Sequence, residues 1–126
     1  MRVGPKRILL AEDDGLVRES LRIRLAAAGY DVHTARTGLE TMQRVMSLKP
    51  HVLVLDINMP ELDGFGVLEA LRSEYPNLNL PVLVLTSRNT MDDVKRALAL
   101  GARDYVVKAQ VETGLLGRVE RLLKAA

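Results

Sequence analysis

Five short apolar runs, each followed by a stretch with helical periodicity, constrain this chain more than any other feature. They are Ile8 to Ala11, Tyr30 to Ala35, Val52 to Leu55, Pro81 to Leu85 and Tyr105 to Val107. Runs this short suit strands, and strands alternating with helical patterns suit a parallel sheet. Val17, Leu21, Leu25 and Ala28 stripe the first predicted helix, with Gly29 placed for a left-handed cap. Thr37-Gly38-Leu39-Glu40 has capping-box spacing, and Met42, Val45 and Met46 follow before Pro50 stops the second helix. The third begins after Asp63-Gly64 and ends before Pro76. Met91, Val94 and Leu98 stripe the fourth, with Thr90 and Asp93 as caps and Gly101 at its end; Leu115, Val119 and Leu122 stripe the fifth.

The first, third and fourth runs are continuously apolar, as parallel strands covered by helices on both faces require. Asp31-Val32-His33-Thr34 alternates, which places the second strand at an edge. With right-handed crossovers this fits an α/β fold, a doubly wound (βα)5 flavodoxin-like sandwich with strand order 2-1-3-4-5. One domain over residues 1–126, with a core of about 7–124, accounts for the 126 residues.

Composition removes several chemistries. With no cysteine there is no disulfide scaffold, cysteine nucleophile or thiolate metal site. No apolar run approaches the roughly 20 residues of a membrane span, and the first residues lack a secretory signal, so the chain reads as cytoplasmic. Eighteen Lys and Arg against sixteen Asp and Glu leave a net charge of +2 with the basic residues scattered, which does not point to nucleic acid. Arg118, Arg121 and Lys124 suit the dipole of a last helix.

In such a sheet, ligands bind at the carboxyl ends of the strands. The residues there are Glu12, Asp13 and Asp14 after the first strand, Asp56 after the third, Thr86 and Ser87 after the fourth, and Lys108 after the fifth. Strands one and three are neighbours in the proposed order, so Glu12 and Asp13 should approach Asp56. Carboxylates that close need a cation, and a hard oxygen-ligated divalent ion in an open pocket points to Mg²⁺. His33 and His51 lie away from this edge, which disfavours zinc or copper. A carboxylate beside Mg²⁺ and the Lys108 ammonium can accept a phosphoryl group. Asp56 is the candidate nucleophile, Thr86 a hydroxyl donor to the phosphoryl oxygens, and the Asn58-Met59-Pro60 turn a source of backbone carbonyl ligands. Singly, each residue has a plainer role as helix cap, turn or solvated charge; their joint arrival at adjacent strand ends favours the site.

The segments Leu10 to Asp14, Val54 to Gly64, Leu85-Thr86-Ser87 and Gly101 to Lys108 closely resemble the receiver domain of two-component response regulators, from about Arg7 to Lys124. The resemblance implies phosphorylation at Asp56 by a histidine kinase phosphohistidine or a phosphotransfer protein. It also implies Mg²⁺ held by Glu12, Asp13, Asp56 and the carbonyl of Asn58. Arg18, five residues after Asp13, sets that register and leaves Asp14 outside the metal shell. The resemblance further implies Thr86 and Tyr105 as switch residues and Lys108 as phosphoryl-binding ammonium. The output surface would be helix four, strand five and helix five, which could also support a dimer, and the closest kind would be a stand-alone, chemotaxis-regulator-like receiver acting through an unidentified protein.

Ala109 departs from the family, which usually has proline after the lysine; a trans bond is expected there because a non-proline cis bond costs about 3 kcal/mol. Ser87 is larger than the usual small residue and could narrow access, and Asn58 and Arg88 flank the site. Three other readings compete. A haloacid-dehalogenase-like phosphohydrolase needs an acid where Asn58 stands. A flavin carrier lacks a phosphate cradle and, with one Phe and no Trp, a stacking surface. A receiver-like adaptor that is never phosphorylated would not need the acidic cluster.

Overall fold

The computed structural model describes residues 4–87 and 91–125. Five strands, β1 (Arg7–Ala11), β2 (Asp31–Ala35), β3 (Val52–Asp56), β4 (Val82–Thr86) and β5 (Asp104–Val107), alternate with five helices. The helices are α1 (Gly15–Ala27), α2 (Gly38–Leu48), α3 (Gly64–Glu74), α4 (Met91–Ala99) and α5 (Val111–Ala125), the last entered through a 3₁₀ turn at Lys108–Gln110. All strand pairs are parallel, in the order β2-β1-β3-β4-β5, so the expected doubly wound topology is the observed one.

Alternate residues of each strand feed two separate cores. On one face Leu9, Ala11, Leu53, Leu55, Val82 and Val84 pack against α2, α3 and α4. On the other, Ile8, Leu10, Val52, Val54, Leu83 and Leu85 pack against α1 and α5, which contribute Leu21, Leu25, Leu115, Val119 and Leu122. Strands β1, β3 and β4 are buried almost throughout, because helices cover both of their faces. Among the described residues no helix is long and apolar enough to cross a membrane.

The caps follow the sequence closely. Asp14 Oδ1 accepts the N–H groups of Leu16 and Val17 at the start of α1, and Asp63 Oδ1 accepts that of Gly66 at the start of α3. Thr37 Oγ1 accepts from Glu40 N, but Glu40 returns its bond to the N–H of Arg36, one residue earlier than the standard box. Gly29 and Gly101 both take positive φ, as expected at helix exits. Helix α2 stops at Leu48, with Lys49 in the left-handed region before Pro50.

Several expected faces are shifted. Ala28 lies past the end of α1 as an exposed cap residue. Met46 is exposed, leaving Val45 buried and Met42 partly so. On α4 the buried pair is Val94 and Ala97, while Met91 and Leu98 face solvent; of the expected stripe only Val94 faces the core, and Ala97, three residues on, completes the buried face. Thr90 as a cap and Arg88 as a flanking group lie outside the described residues. Strand β2 does not alternate cleanly, since Val32, His33 and Thr34 are all half-buried. Of the three C-terminal cations only Lys124 lies in the last turn, paired with Glu120; Arg118 turns back toward Asp104 on β5.

The amino ends of the strands form a tied rim. Arg7 donates to the carbonyls of Leu48 and Lys49 at the exit of α2, and its backbone N–H donates to His51 Nδ1. Arg72 caps α4 at the Ala99 carbonyl, and Arg103 reaches Asn79. Burial, with Arg7 and Lys6 close by, lowers the His51 pKa, consistent with a neutral imidazole accepting a proton donor.

Candidate functional site

The opposite rim, at the carboxyl ends of the strands, gathers the charged residues. Register explains how. Ala11 pairs with Leu55 and Asp56 with Leu85, so Glu12 and Asp56 emerge at the same level from adjacent strands. Both keep the parity of Leu10 and Val54, which puts their side chains over the α1/α5 face. The bond from Glu12 N to Ala35 O extends the β1–β2 ladder one residue and fixes the Glu12 backbone.

Glu12, Asp13 and Asp56 each offer a carboxylate oxygen within 4.8 Å of the others. Glu12 and Asp56 expose none of their surface, whereas Asp13 is exposed at the mouth. Lys108 bridges the buried pair, with Nζ 2.9 Å from Glu12 Oε1 and 3.1 Å from Asp56 Oδ2. These are ion-pair contacts rather than directed hydrogen bonds, and both oxygens otherwise lack a hydrogen-bond partner. Asp56 Oδ1 accepts the N–H of Asn58 at 3.1 Å. Arg18 donates from one guanidinium nitrogen to the carbonyls of Glu12 and Asp13, at 2.9 and 3.3 Å, and so clamps the acidic turn from α1. The Asp14 carboxylate is engaged as the cap of α1, and its backbone N–H donates to Glu12 Oε2 at 3.2 Å.

Electrostatics follow from this burial. Loss of solvent, then the adjacent Glu12 carboxyl and its charge, push the Asp56 carboxyl up to about 7, against the opposing pull of the Asn58 N–H and Lys108. Burial pulls Lys108 down, but Glu12 and Asp56 outweigh it and leave the ammonium above its ordinary value. With both acids ionised, the buried pair exceeds its one cation by a negative charge, and the orphaned oxygens Glu12 Oε1 and Asp56 Oδ2 are hard donors. An all-oxygen set with one exposed carboxylate fits a divalent cation of the Mg²⁺ kind. No histidine joins the cluster among the described residues.

The remaining expected residues lie around this centre. Asn58 is exposed just after Asp56, and its Nδ2 lies 3.5 Å from Ser87 Oγ. Thr86 is buried at the end of β4, the strand beside Asp56. Its parity places it on the α2/α3/α4 face with Val84 and Tyr105, the face opposite Asp56. Tyr105 is half-buried and packs against that core. Ala109 sits in the 3₁₀ turn, and no cis peptide occurs among the described residues. Sequence reasoning missed two features. One is an open groove of about 280 Å³ beside Lys108, bordered by Leu16, Val17, Ser20, Leu21 and Val111, with Leu16 86% exposed; Leu16 next to Val17 was its only signal. The other is the tight seating of the loop after Asp56 against α2, for which Gly38 was the sole hint.

Fold and site together define a flavodoxin-like α/β domain with three carboxylates and a lysine gathered on its carboxyl edge. Residues 8–120 match the family model described as "Response regulator receiver domain". Response regulator MprA of Mycobacterium ulcerans (strain Agy99) is 43% identical over 118 residues, covering 94% of this chain and 50% of its own length. Transcriptional regulatory protein PrrA of Mycobacterium leprae (strain TN) is 41% identical over 122 residues, covering 97% and 52%. Among solved structures, the receiver domain of Francisella response regulator 1452 superposes with a TM-score of 0.88 at 29% identity, over 95% of this chain and 98% of that one. Vibrio cholerae chemotaxis protein CheY4 gives 0.87 at 28%, over 94% and 99%. The chain therefore belongs to the response regulator receiver domain family, the signalling domains of two-component systems. It spans about half the length of the curated relatives it matches.

Proposed function

We propose that this receiver domain is switched by phosphorylation of Asp56 and works as a binding module in the cytoplasm rather than as a turnover enzyme. The observation that carries the reading is the meeting of Glu12, Asp13 and Asp56 within 4.8 Å, with Lys108 bridging two of them. Glu12, Asp13, Asp56 and the Asn58 carbonyl would hold Mg²⁺. When bound, the ion supplies neutralising charge for the transferring phosphoryl oxygens. Asp56 forms the new oxygen–phosphorus bond while the phosphorus–nitrogen bond of a phosphohistidine breaks. The electron pair stays on the imidazole nitrogen, which takes up a proton from solvent. The donor would be a histidine kinase or phosphotransfer protein.

Lys108 lies 3.1 Å from Asp56 Oδ2 and would hold a phosphoryl oxygen once one is attached. Asp56 is fully covered in this conformation, so transfer requires the Lys108 contact to loosen and the oxygen to be uncovered. The added charge then draws in the Thr86 hydroxyl, and Tyr105, on the same face two residues away across the strand pair, takes the space released. That rearrangement would repack the surface of α4, β5 and α5, which would meet the protein that reads the signal or a second copy of the chain. Asn58 in place of a second acid disfavours a phosphohydrolase.

The test is incubation with Mg²⁺ and acetyl phosphate, followed by intact-mass measurement. One alkali-labile phosphoryl group on the wild type and none on Asp56→Asn is the expected result. An unmodified wild type, or an equally modified Asp56→Asn, would overturn the reading.

A further inference from the structure

Between Asp56 and α3 the chain makes a seven-residue loop, Ile57 to Asp63, whose ends are pinned by the bond from Gly64 N to Ile57 O at 2.8 Å. Its middle turns through Pro60 and Glu61, the latter at φ 69, an uncommon conformation for a residue with a side chain. Leu62 then passes directly against the first residue of α2. A Cβ placed on Gly38 would lie 2.0 Å from the Leu62 carbonyl oxygen, 2.7 Å from its Cβ and 2.8 Å from its carbonyl carbon. Gly66 also crowds Leu62, but there the nearest atom is the tip of a flexible side chain. At Gly38 the obstacle is backbone, which cannot swing aside. Relieving it to ordinary contact needs a movement of about 1 Å or more.

The two sides of this contact are unequally anchored. Helix α2 starts on the Thr37 cap at 3.1 Å, the Glu40 bond to Arg36 N at 2.7 Å and the bond from Thr41 Oγ1 to Thr37 O at 2.7 Å, with Val45 in the core. The loop is anchored nearer its ends, by Ile57 N to Leu85 O, Gly64 N to Ile57 O and the burial of Ile57 and Met59, while the stretch that meets Gly38 carries one backbone bond, from Leu62 N to Pro60 O. Pressure at Gly38 therefore falls on the Pro60 to Leu62 stretch, the least bonded part of the loop. Asn58 lies four residues from Leu62 and holds Asp56 Oδ1 through its N–H.

We infer that Gly38, on a helix that contributes no ligand, is a positioning residue for the cation site: its missing side chain lets Leu62 seat against α2 and so sets where Asn58 meets Asp56. The inference rests on the Mg²⁺ reading above. Groups that orient ligands typically change metal affinity by about 10- to 100-fold when altered, and Gly38→Ala belongs to that class.

The experiment is Mg²⁺ titration of the 126-residue wild type, Gly38→Ala, Gly117→Ala and Leu122→Ala, read by thermal shift and by amide chemical shifts. Gly117 has open space around its Cα and controls for the glycine change itself, while Leu122, in the far core, controls for lost stability. The expected result is a Mg²⁺ dissociation constant raised about tenfold in Gly38→Ala alone, with displaced amides over Ile57 to Asp63 already visible without metal. Unchanged affinity in a folded Gly38→Ala, or a weakening matched by Leu122→Ala, overturns the inference. Displacement confined to α2 overturns it equally. Should Gly38→Ala fail to fold, the wild-type titration decides: the Gly38 amide must respond to Mg²⁺ together with Asn58 and Leu62, and a silent Gly38 refutes the coupling. A wild type that does not respond to Mg²⁺ at all refutes the metal reading itself, a separate outcome.

Discussion

Removing the charge at position 56 tests the electrostatics of the site with no metal or phosphodonor present. In the folded protein the Asp56 carboxyl is raised from its ordinary 3.8 to about 7, first by burial and then by Glu12. A group with a raised folded pKa contributes stability fully below its unfolded pKa and loses it as pH rises through the folded one. The window here runs from about pH 4 to about pH 7. Each unit is worth about 1.4 kcal/mol, so the wild type should lose up to about 4 kcal/mol across it in EDTA. For a chain of this size that is roughly 10–15 °C in Tm. Asp56→Asn cannot ionise and should lack this loss, ending more stable than wild type at pH 8. The assay is thermal and urea unfolding by circular dichroism at half-unit steps from pH 4.5 to 8.5, read as the difference between the two proteins, which cancels the carboxylates outside the cluster. Curves that stay parallel throughout would refute the argument that burial, rather than compensation by Lys108, governs Asp56.

Adding Mg²⁺ should reverse that trend, stabilising the wild type more at pH 8 than at pH 5.5, because protons and cation compete for the same oxygens; Asp56→Asn and Asp13→Asn should lose most of the Mg²⁺-dependent thermal shift. Lys108→Met leaves Glu12 and Asp56 without their cation and should cost about 3–5 kcal/mol in urea unfolding above pH 7, with part of the loss recovered by Mg²⁺. Asp63→Ala removes the cap of α3 and should cost about 1 kcal/mol, without changing the amount of phosphoryl group gained from acetyl phosphate.

The fold was legible because the information was local and repeated. Val52 to Leu55 and Pro81 to Leu85 carry too many consecutive apolar residues for a strand with a wet face, and Asp63 and Thr37 cap where their spacing says they should. The acidic cluster was legible for a similar reason: once strand order is known, Glu12 and Asp56 must emerge together. What escaped was set by partners distant in sequence. Met91 and Leu98 fit a helical stripe as well as Val94 and Ala97 do, and only the sheet beneath α4 decides between them. Burial of Asp56 depends on everything packed around its strand, so the carboxyl near 7 had no sequence signature. The close approach of Leu62 to Gly38 joins two loops 24 residues apart, and a glycine at a helix start is ordinarily unremarkable.

The stitching of the sheet's amino-end rim has a dynamic consequence. There, arginines 7, 72 and 103 are tied to carbonyls or an amide side chain, so backbone breathing is restrained by neutral acceptors that salt and pH scarcely affect. At the opposite edge, cohesion around residue 56 comes largely from the ion pairs of Lys108 with Glu12 and Asp56. The molecule is thus built like a clamped beam with one free end, and the gradient should emerge in deuterium uptake: slow where Arg7 anchors the beam, and responsive to ionic conditions at the tip that bears residue 56.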